Sequence, residues 1–256
     1  MNNPDLLPVI LAAGLGSRIS GNLGFSSCPK GLAKVEGKAI VEYQLDILDY
    51  CGVNDVVIVV GHLQACYREH FGNRYNRLNI HYAVNEEFAS SGSALSLFRS
   101  RSFFNVSSCS MLMLHADIFF DPQILKDALD DSRENLLVVD ENYVVATNDE
   151  QVIFGNDNIV EKLVKGPQES IGLIGESVAI NVFSADFLEP YFTYLDKAIH
   201  QDKKLNWEQS IEGFLKTAPD LELHYLGIGE KLWININYLE DFEFAKDKIY
   251  PSIFPA

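Results

Sequence analysis

Short apolar runs alternate with helix-patterned segments through the first half of the chain, and this alternation limits the fold more than any other feature. LLPVILAA and DVVIVVG are apolar along almost their whole length, and NIHYAVN and MLMLHAD follow as further strand-like runs. A strand with no polar face has both faces buried, which is the condition of a strand in a parallel sheet covered by helices. Between the first two runs, AIVEYQLDILDY places Ile40, Val41, Leu45 and Leu48 at helical spacing. Further helices are expected from about Leu63 to Phe71 and from near Ser93. The pattern predicts an α/β fold with a mainly parallel central sheet flanked by helices.

Beyond Asp140 the rhythm changes. YVVATNDEQVIFGNDNIVEKLV reads as short antiparallel strands with turn residues at Asn156 and Asp157. A strand SVAINVF, a long helix to His200, a helix near Trp207–Lys216, a strand LELHYLGI and a final helix over Leu239–Lys248 complete the pattern. There is no internal repeat, low-complexity tract or linker, and 256 residues are economically read as one large domain over 1–256.

Charge narrows the partners. A formal net charge of −16 argues against nucleic acid or an anionic membrane surface. Locally the balance reverses: between residues 18 and 38 stand Arg18, Lys30, Lys34 and Lys38, with Glu36 the one acid. That patch suits a small anionic ligand. The acids from Asp117 to Glu150 read mostly as a solvated face. The four cysteines form no CxxC pair, so reduced thiols in a cytoplasmic protein are expected. No apolar run approaches the ~18 residues of a membrane-spanning helix. The leader MNNPD lacks Lys and Arg and carries Asp5, which speaks against a signal peptide.

In open α/β sheets ligands bind beyond the carboxyl ends of the strands, where this chain places Gly14, Gly61, Asn85 and Asp117. The first strand runs into LAAGLGSR. A dinucleotide fingerprint needs G-x-G-x-x-G/A opening a helix, and here Gly14-x-Gly16 is followed by no clear helix for some way. The G-x-x-x-x-G-K-[ST] loop occurs nowhere. What remains is a strand opening into a glycine-rich loop whose backbone N–H groups can approach phosphate oxygens, with Arg18 directly after it. Pro29-Lys30-Gly31-Leu32 closes the loop with a second cation.

The ordered combination LAAGLGSR…CPKGLAKVEGKAIVEYQLDIL resembles the nucleotidyltransferases that make sugar- and choline-type nucleoside diphosphates. NEEFASSGSALSLFRS looks like their base-binding segment, LHAD like their metal-binding aspartate, and WININYLED like their C-terminal W-x-D-I-D-x-x-x-D segment. The closest likeness is to small phosphocholine- and phosphonate-type cytidylyltransferases, which implies a single Rossmann-like domain with a mixed, mostly parallel sheet. It also implies transfer of CMP from CTP to a small phosphomonoester or phosphonate acceptor, with release of pyrophosphate and with Mg²⁺ as cofactor. A sugar-1-phosphate uridylyl- or thymidylyltransferase is the nearest alternative, and a non-catalytic nucleotide-binding regulatory protein is the alternative of another class. A homodimer is compatible with this pattern.

By this resemblance, Arg18 grips the leaving phosphates and Lys30 stabilises charge at the α-phosphate. Leu11, Ala12, Ala13, Gly14, Gly16 and Ser17 hold the nucleotide, with Gly92 and Ser93 at the base and Asn85 or Ser91 as helpers. Asp117 is the natural metal ligand. The second acid of the family's D-I-D is replaced, so Asn237 supplies a carboxamide oxygen in place of a carboxylate. Lys165 or Lys162 is placed toward the acceptor phosphate, and Glu176 toward the ribose or the acceptor. Trp207 and Glu208 offer an aromatic face and a carboxylate suited to a cationic acceptor head, with a core tryptophan as the competing expectation. His62, Cys66 and His70 are spaced too far apart along a helix to share one zinc, and His115 is expected to be a sheet histidine near the metal.

Overall fold

Successive residues along the apolar strands point to opposite faces of one sheet, and each face meets a layer of helices. The computed structural model describes residues 6–15, 28–105, 108–142, 151–166 and 172–255. Its strands are β1 (Leu6–Ala12), β2 (Lys34–Val35), β3 (Lys38–Ala39), β4 (Asp55–Val60), β5 (Arg74–Tyr75), β6 (Leu78–Val84) and β7 (Ser110–His115). They continue with β8 (Ile118–Phe120), β9 (Leu136–Asp140), β10 (Gln151–Asn156), β11 (Ile159–Lys165), β12 (Leu173–Phe183), β13 (His224–Gly227) and β14 (Trp233–Asn235). The helices are α1 (Ile40–Tyr50), α2 (Gln64–Phe71), α3 (Ser93–Arg99), α4 (Pro122–Asp130), α5 (Ala185–Gln201), α6 (Trp207–Leu215), α7 (Leu239–Phe244) and α8 (Tyr250–Ile253).

Ten strands form one sheet in the order β10-β11-β13-β9-β12-β7-β1-β4-β6-β5. Its centre is parallel: β1 pairs with β7 and β4, and β4 with β6. Ile10, Val56, Ile58, Leu112 and Leu114 turn to the face covered by α1, α2 and α4. Their neighbours Val9, Val57, Val59, Met111 and Met113 turn to the face covered by α3, α5 and α6. Burial on both sides is why these strands carry no polar alternation.

The sheet is mixed as expected, with its parallel pairs confined to the centre and to β9–β13; β12 runs antiparallel to both β7 and β9. Two local features differ from the sequence reading. The β10–β11 turn residues are Asp157 and Asn158, one position later than expected, both with positive φ (49° and 66°). A two-residue turn of that kind needs left-handed backbone at both positions, which Asp and Asn tolerate. The final helix is interrupted: α7 gives way to a π-helical turn over Ala245–Ile249 before α8. Ala245 and Ile249 pack there with Val35, Phe119 and Ile236 in a small separate core.

Candidate active site

Parallel pairing of β1 with β7 brings the loops after both strands to one edge of the sheet, with Leu11 opposite His115. The Ala116 N–H donates to the Leu11 carbonyl at 3.0 Å, so the chain leaving β7 stays in register with the chain leaving β1. Gly14 and Asp117 therefore line one cleft. Lys30, at the start of a 3₁₀ turn over Lys30–Leu32, enters the same cleft.

The Lys30 ammonium donates to Asp117 Oδ2 at 3.2 Å and to Asn237 Oδ1 at 2.8 Å. Asn237 reaches this point because β14 pairs antiparallel with β8, Asn235 lying opposite Ile118. The Ile236 N–H then donates to the Asp117 carbonyl at 2.9 Å. Asp241 Oδ2 accepts from the N–H groups of Asn237 and Tyr238, both at 2.7 Å, and fixes the backbone beyond. Residues far apart in sequence are thus held to one point by backbone pairing. The donors there are a carboxylate and a carboxamide oxygen, hard ligands of the kind a small divalent cation takes alongside water and phosphate oxygens.

The cleft has a volume of about 260 Å³ and is walled by Leu11, Ala12, Ala13, Gly14, Gly92 and Ser93 among others. Buried Tyr67 lies beneath Gly31, where a Cβ would meet its hydroxyl at 2.5 Å. Burial pushes this phenol up, and the nearby Asp117 carboxylate adds to the effect. His115 Nε2 accepts from Trp207 Nε1 at 2.9 Å, which places the imidazole proton on Nδ1. Burial holds this histidine below its ordinary value.

A second cavity, about 340 Å³, shares Ser93 and His115 with the first and is otherwise lined by residues between 151 and 241. Lys165, Glu176, Glu208 and Asn237 line it. Glu208 is only 7% exposed. Burial pushes its carboxyl up to about 7, opposed by its own backbone N–H and by the charge of Lys165. Glu176 and Ser177 precede an irregularity in β12, whose pairing with β9 shifts between Ser177 and Asn181 around Ala179 at φ 59°. Such bulges re-aim side chains.

Several expected site residues have packing or hydrogen-bonding partners of their own. Asn85 is fully buried and does not line the cleft; its Nδ2 donates to Ser91 Oγ and Ser96 Oγ at 3.0 and 2.9 Å, and its Oδ1 accepts from the Glu87 N–H. It braces the loop that carries Ser91 and Gly92, and its donors are spent. Gly92 is small for a packing reason, since a Cβ would meet the Leu205 carbonyl oxygen at 2.1 Å. Ser93 Oγ accepts from the Trp207 N–H at 3.0 Å, tying the start of α3 to the start of α6. Trp207 is 1% exposed and packs in the core while bordering the second cavity. Gly16, Ser17 and Arg18 lie outside the described residues.

Other candidates resolve simply. Lys162 sits over the Phe154 ring at 4.3 Å. His62 contacts the Phe88 ring, and His70 lies 3.4 Å from Glu42. No group of three metal-ligating side chains occurs among the described residues. Sequence reasoning missed Tyr67, Asn206 and Asp241. The last had a signal, an acid three residues after Tyr238 at a helix start, as in a capping box.

The model of the MobA-like NTP transferase domain matches residues 8–198. The chain is 37% identical over 126 residues to a CMP-5'-(3-aminopropyl)phosphonate synthase of Streptomyces rubellomurinus, covering 48% of this chain and 19% of that one. It is 23% identical over 210 residues to a choline-phosphate cytidylyltransferase of Streptococcus pneumoniae, covering 81% and 84%. The solved inositol-1-phosphate CTP transferase from T. maritima has the same fold, with a TM-score of 0.76 at 18% identity over 99% of both chains. The match thus spans about a fifth of the first relative and most of the second.

Proposed function

The chain belongs to the MobA-like NTP transferase family, and on that premise we propose that it is a cytidylyltransferase that moves CMP from CTP to a small phosphomonoester or phosphonate acceptor. The observation that carries this reading is the convergence of Lys30, Asp117 and Asn237 where two cavities meet. Nucleotidyl transfer brings two anions together, so catalysis is largely positioning and charge neutralisation. An acceptor oxygen forms a bond to the α-phosphorus as the bond from that phosphorus to the bridging oxygen breaks, and pyrophosphate leaves with the electron pair.

In this reading the first cavity takes the nucleotide along Leu11 to Gly14, and the second takes the acceptor. Lys30 donates to the α-phosphate as charge builds there, and Arg18 holds the leaving phosphates in a planar fork. The oxygens of Asp117 and Asn237 fit Mg²⁺, which when bound neutralises triphosphate charge. One carboxylate rather than two leaves that pair with a single negative charge. Lys165 faces the acceptor's phosphate, and the buried Glu208 carboxyl favours an acceptor with a cationic end over a neutral sugar. The names of the cytidylyltransferase relatives support CTP and acceptors of the choline-phosphate or aminoalkylphosphonate type.

A pyrophosphate-release assay tests this directly. The four common nucleoside triphosphates are crossed, in Mg²⁺, with phosphocholine, 2-aminoethylphosphonate, inositol phosphate and hexose 1-phosphates. Release with CTP and a cationic acceptor is expected. Release only with hexose 1-phosphate favours the sugar nucleotidyltransferase reading. Nucleotide binding without release from any pair favours a regulatory protein and ends the enzyme reading.

A further inference from the structure

Gln44 is the one polar side chain among the buried residues of α1, on the same stripe as Ile40, Val41, Leu45 and Leu48. It is 1% exposed. A carboxamide at such a place loses its hydration, which an apolar side chain of the same length does not. Its Oε1 has no hydrogen-bond partner. Its Nε2, however, donates to the His115 carbonyl at 2.9 Å and to the Ile118 carbonyl at 3.0 Å. Both partners are acceptors, so the orientation of the amide is dictated. These carbonyls bracket Ala116 and Asp117, the turn between β7 and β8.

The rest of that turn is tied elsewhere. The Ala116 N–H is held by the Leu11 carbonyl, and the Asp117 carbonyl accepts from Ile236. The first tie sets the turn against β1 and the second against β14. Only Gln44, among the described residues, links the two sides of the turn to each other from the helix layer behind it.

We infer that Gln44 is a positioning residue for Asp117: its two N–H bonds fix the turn so that the carboxylate meets Lys30 and Asn237 at one point. This rests on reading Asp117 as a metal ligand in nucleotidyl transfer. A group that orients a ligand from behind commonly changes metal affinity or activity about 10- to 100-fold when it is lost. Gln44→Met keeps the length and removes both donors. Gln44→Glu keeps the shape and, protonated in its buried setting, keeps one.

The test titrates Mn²⁺ alone into the full chain and follows the free ion by electron paramagnetic resonance, with Asp117→Ala marking complete loss. Circular dichroism and thermal melting of each variant are recorded alongside. Binding about 10- to 100-fold weaker in folded Gln44→Met, with Gln44→Glu between it and the wild type, is expected. In pyrophosphate release, the Mn²⁺ needed for half-maximal rate rises while KM for the acceptor stays unchanged. Wild-type Mn²⁺ affinity in either folded variant overturns the inference. Loss of the fold in both variants also overturns it, because Gln44 is then a core residue and no more. Absence of Mn²⁺ binding by the wild type overturns it together with the ligand role of Asp117. If the Mn²⁺ order holds but no triphosphate yields pyrophosphate, the nucleotidyl-transfer reading fails and the role of Gln44 stands.

Discussion

Lys30 meets two acceptors of unlike charge, and the difference decides what each contributes. Asp117 compensates the ammonium, while the Asn237 carboxamide orients it without adding charge. Lys30→Ala removes the cation from the cleft, and Asp117→Ala removes the carboxylate. Each is expected to lower kcat at least about 100-fold, the scale of losing one electrostatic stabiliser of a transition state. Thermal midpoints close to wild type should accompany both losses, because neither side chain belongs to the apolar core. Turnover within a few-fold of wild type in either variant refutes its role.

Glu208 gives a pH-dependent test. Its carboxyl stands at about 7 in the folded chain against an ordinary 4.5, so between those values the folded state holds a proton that the unfolded state has released. Its contribution to stability is complete below about 4.5 and declines as pH rises through about 7. Glu208→Gln abolishes that titration. Urea unfolding should show the variant and the wild type alike near pH 4.5, and the variant more stable near pH 8 by up to about 3 kcal/mol. An equal difference at both pH values refutes the shift. If the acceptor is cationic, wild-type KM for it should fall over the same rise in pH, as the carboxylate forms.

At the scale of elements, α3 and α6 meet start to start. The Gly92 N–H donates to the Lys203 carbonyl at 2.9 Å and the Ala94 N–H to the Leu205 carbonyl at 3.2 Å. Asn206 Oδ1 accepts from Ser93, and Ser93 Oγ accepts from Trp207. Most first-turn donors of α3 are thereby satisfied by the segment that leads into α6. Gly92→Ala puts a methyl against backbone oxygen, which cannot rotate away, and should cost about 1–3 kcal/mol as the two helix starts separate. Differential scanning calorimetry reads that loss; an unchanged midpoint shows that the 203–206 segment yields easily.

The same contact marks where sequence reading stops. β1, β4 and β7 were legible because burial on both faces leaves an apolar run that needs no knowledge of partners. Lys30 and Asp117 stood out only through the likeness of whole motifs, and their contact with each other had no trace in the sequence. The hydrogen-bond partners of Asn85, Ser93 and Trp207 had no trace in the sequence, since spacing does not reveal them. Trp207 meets His115 across 92 positions, and Ser93 meets Asn206 across 113. Gln44 had a local trace, a polar residue on an apolar helical stripe, but its meaning depended on the turn behind which α1 packs.

For the whole molecule, the net charge of −16 and the cation-rich segment from Arg18 to Lys38 pull in opposite directions. Distributed acids repel one another in the compact state and relax when the chain expands. Among the described residues most ion pairs are half-exposed or exposed surface contacts, such as Arg77–Asp49 and Lys216–Glu212, and pairs of that kind contribute about 0–1 kcal/mol each. Screening should therefore relieve more repulsion than it weakens attraction. Raising NaCl from about 0.02 M to about 0.2 M shortens the Debye length from roughly 20 Å to roughly 7 Å. The thermal midpoint at pH 8 should rise by a few degrees over that range, and by less at pH 5, close to the sequence pI of 4.7. A midpoint that falls with salt at pH 8 means that attractive pairs outweigh the distributed repulsion, and the acidic surface is then a stabilising network.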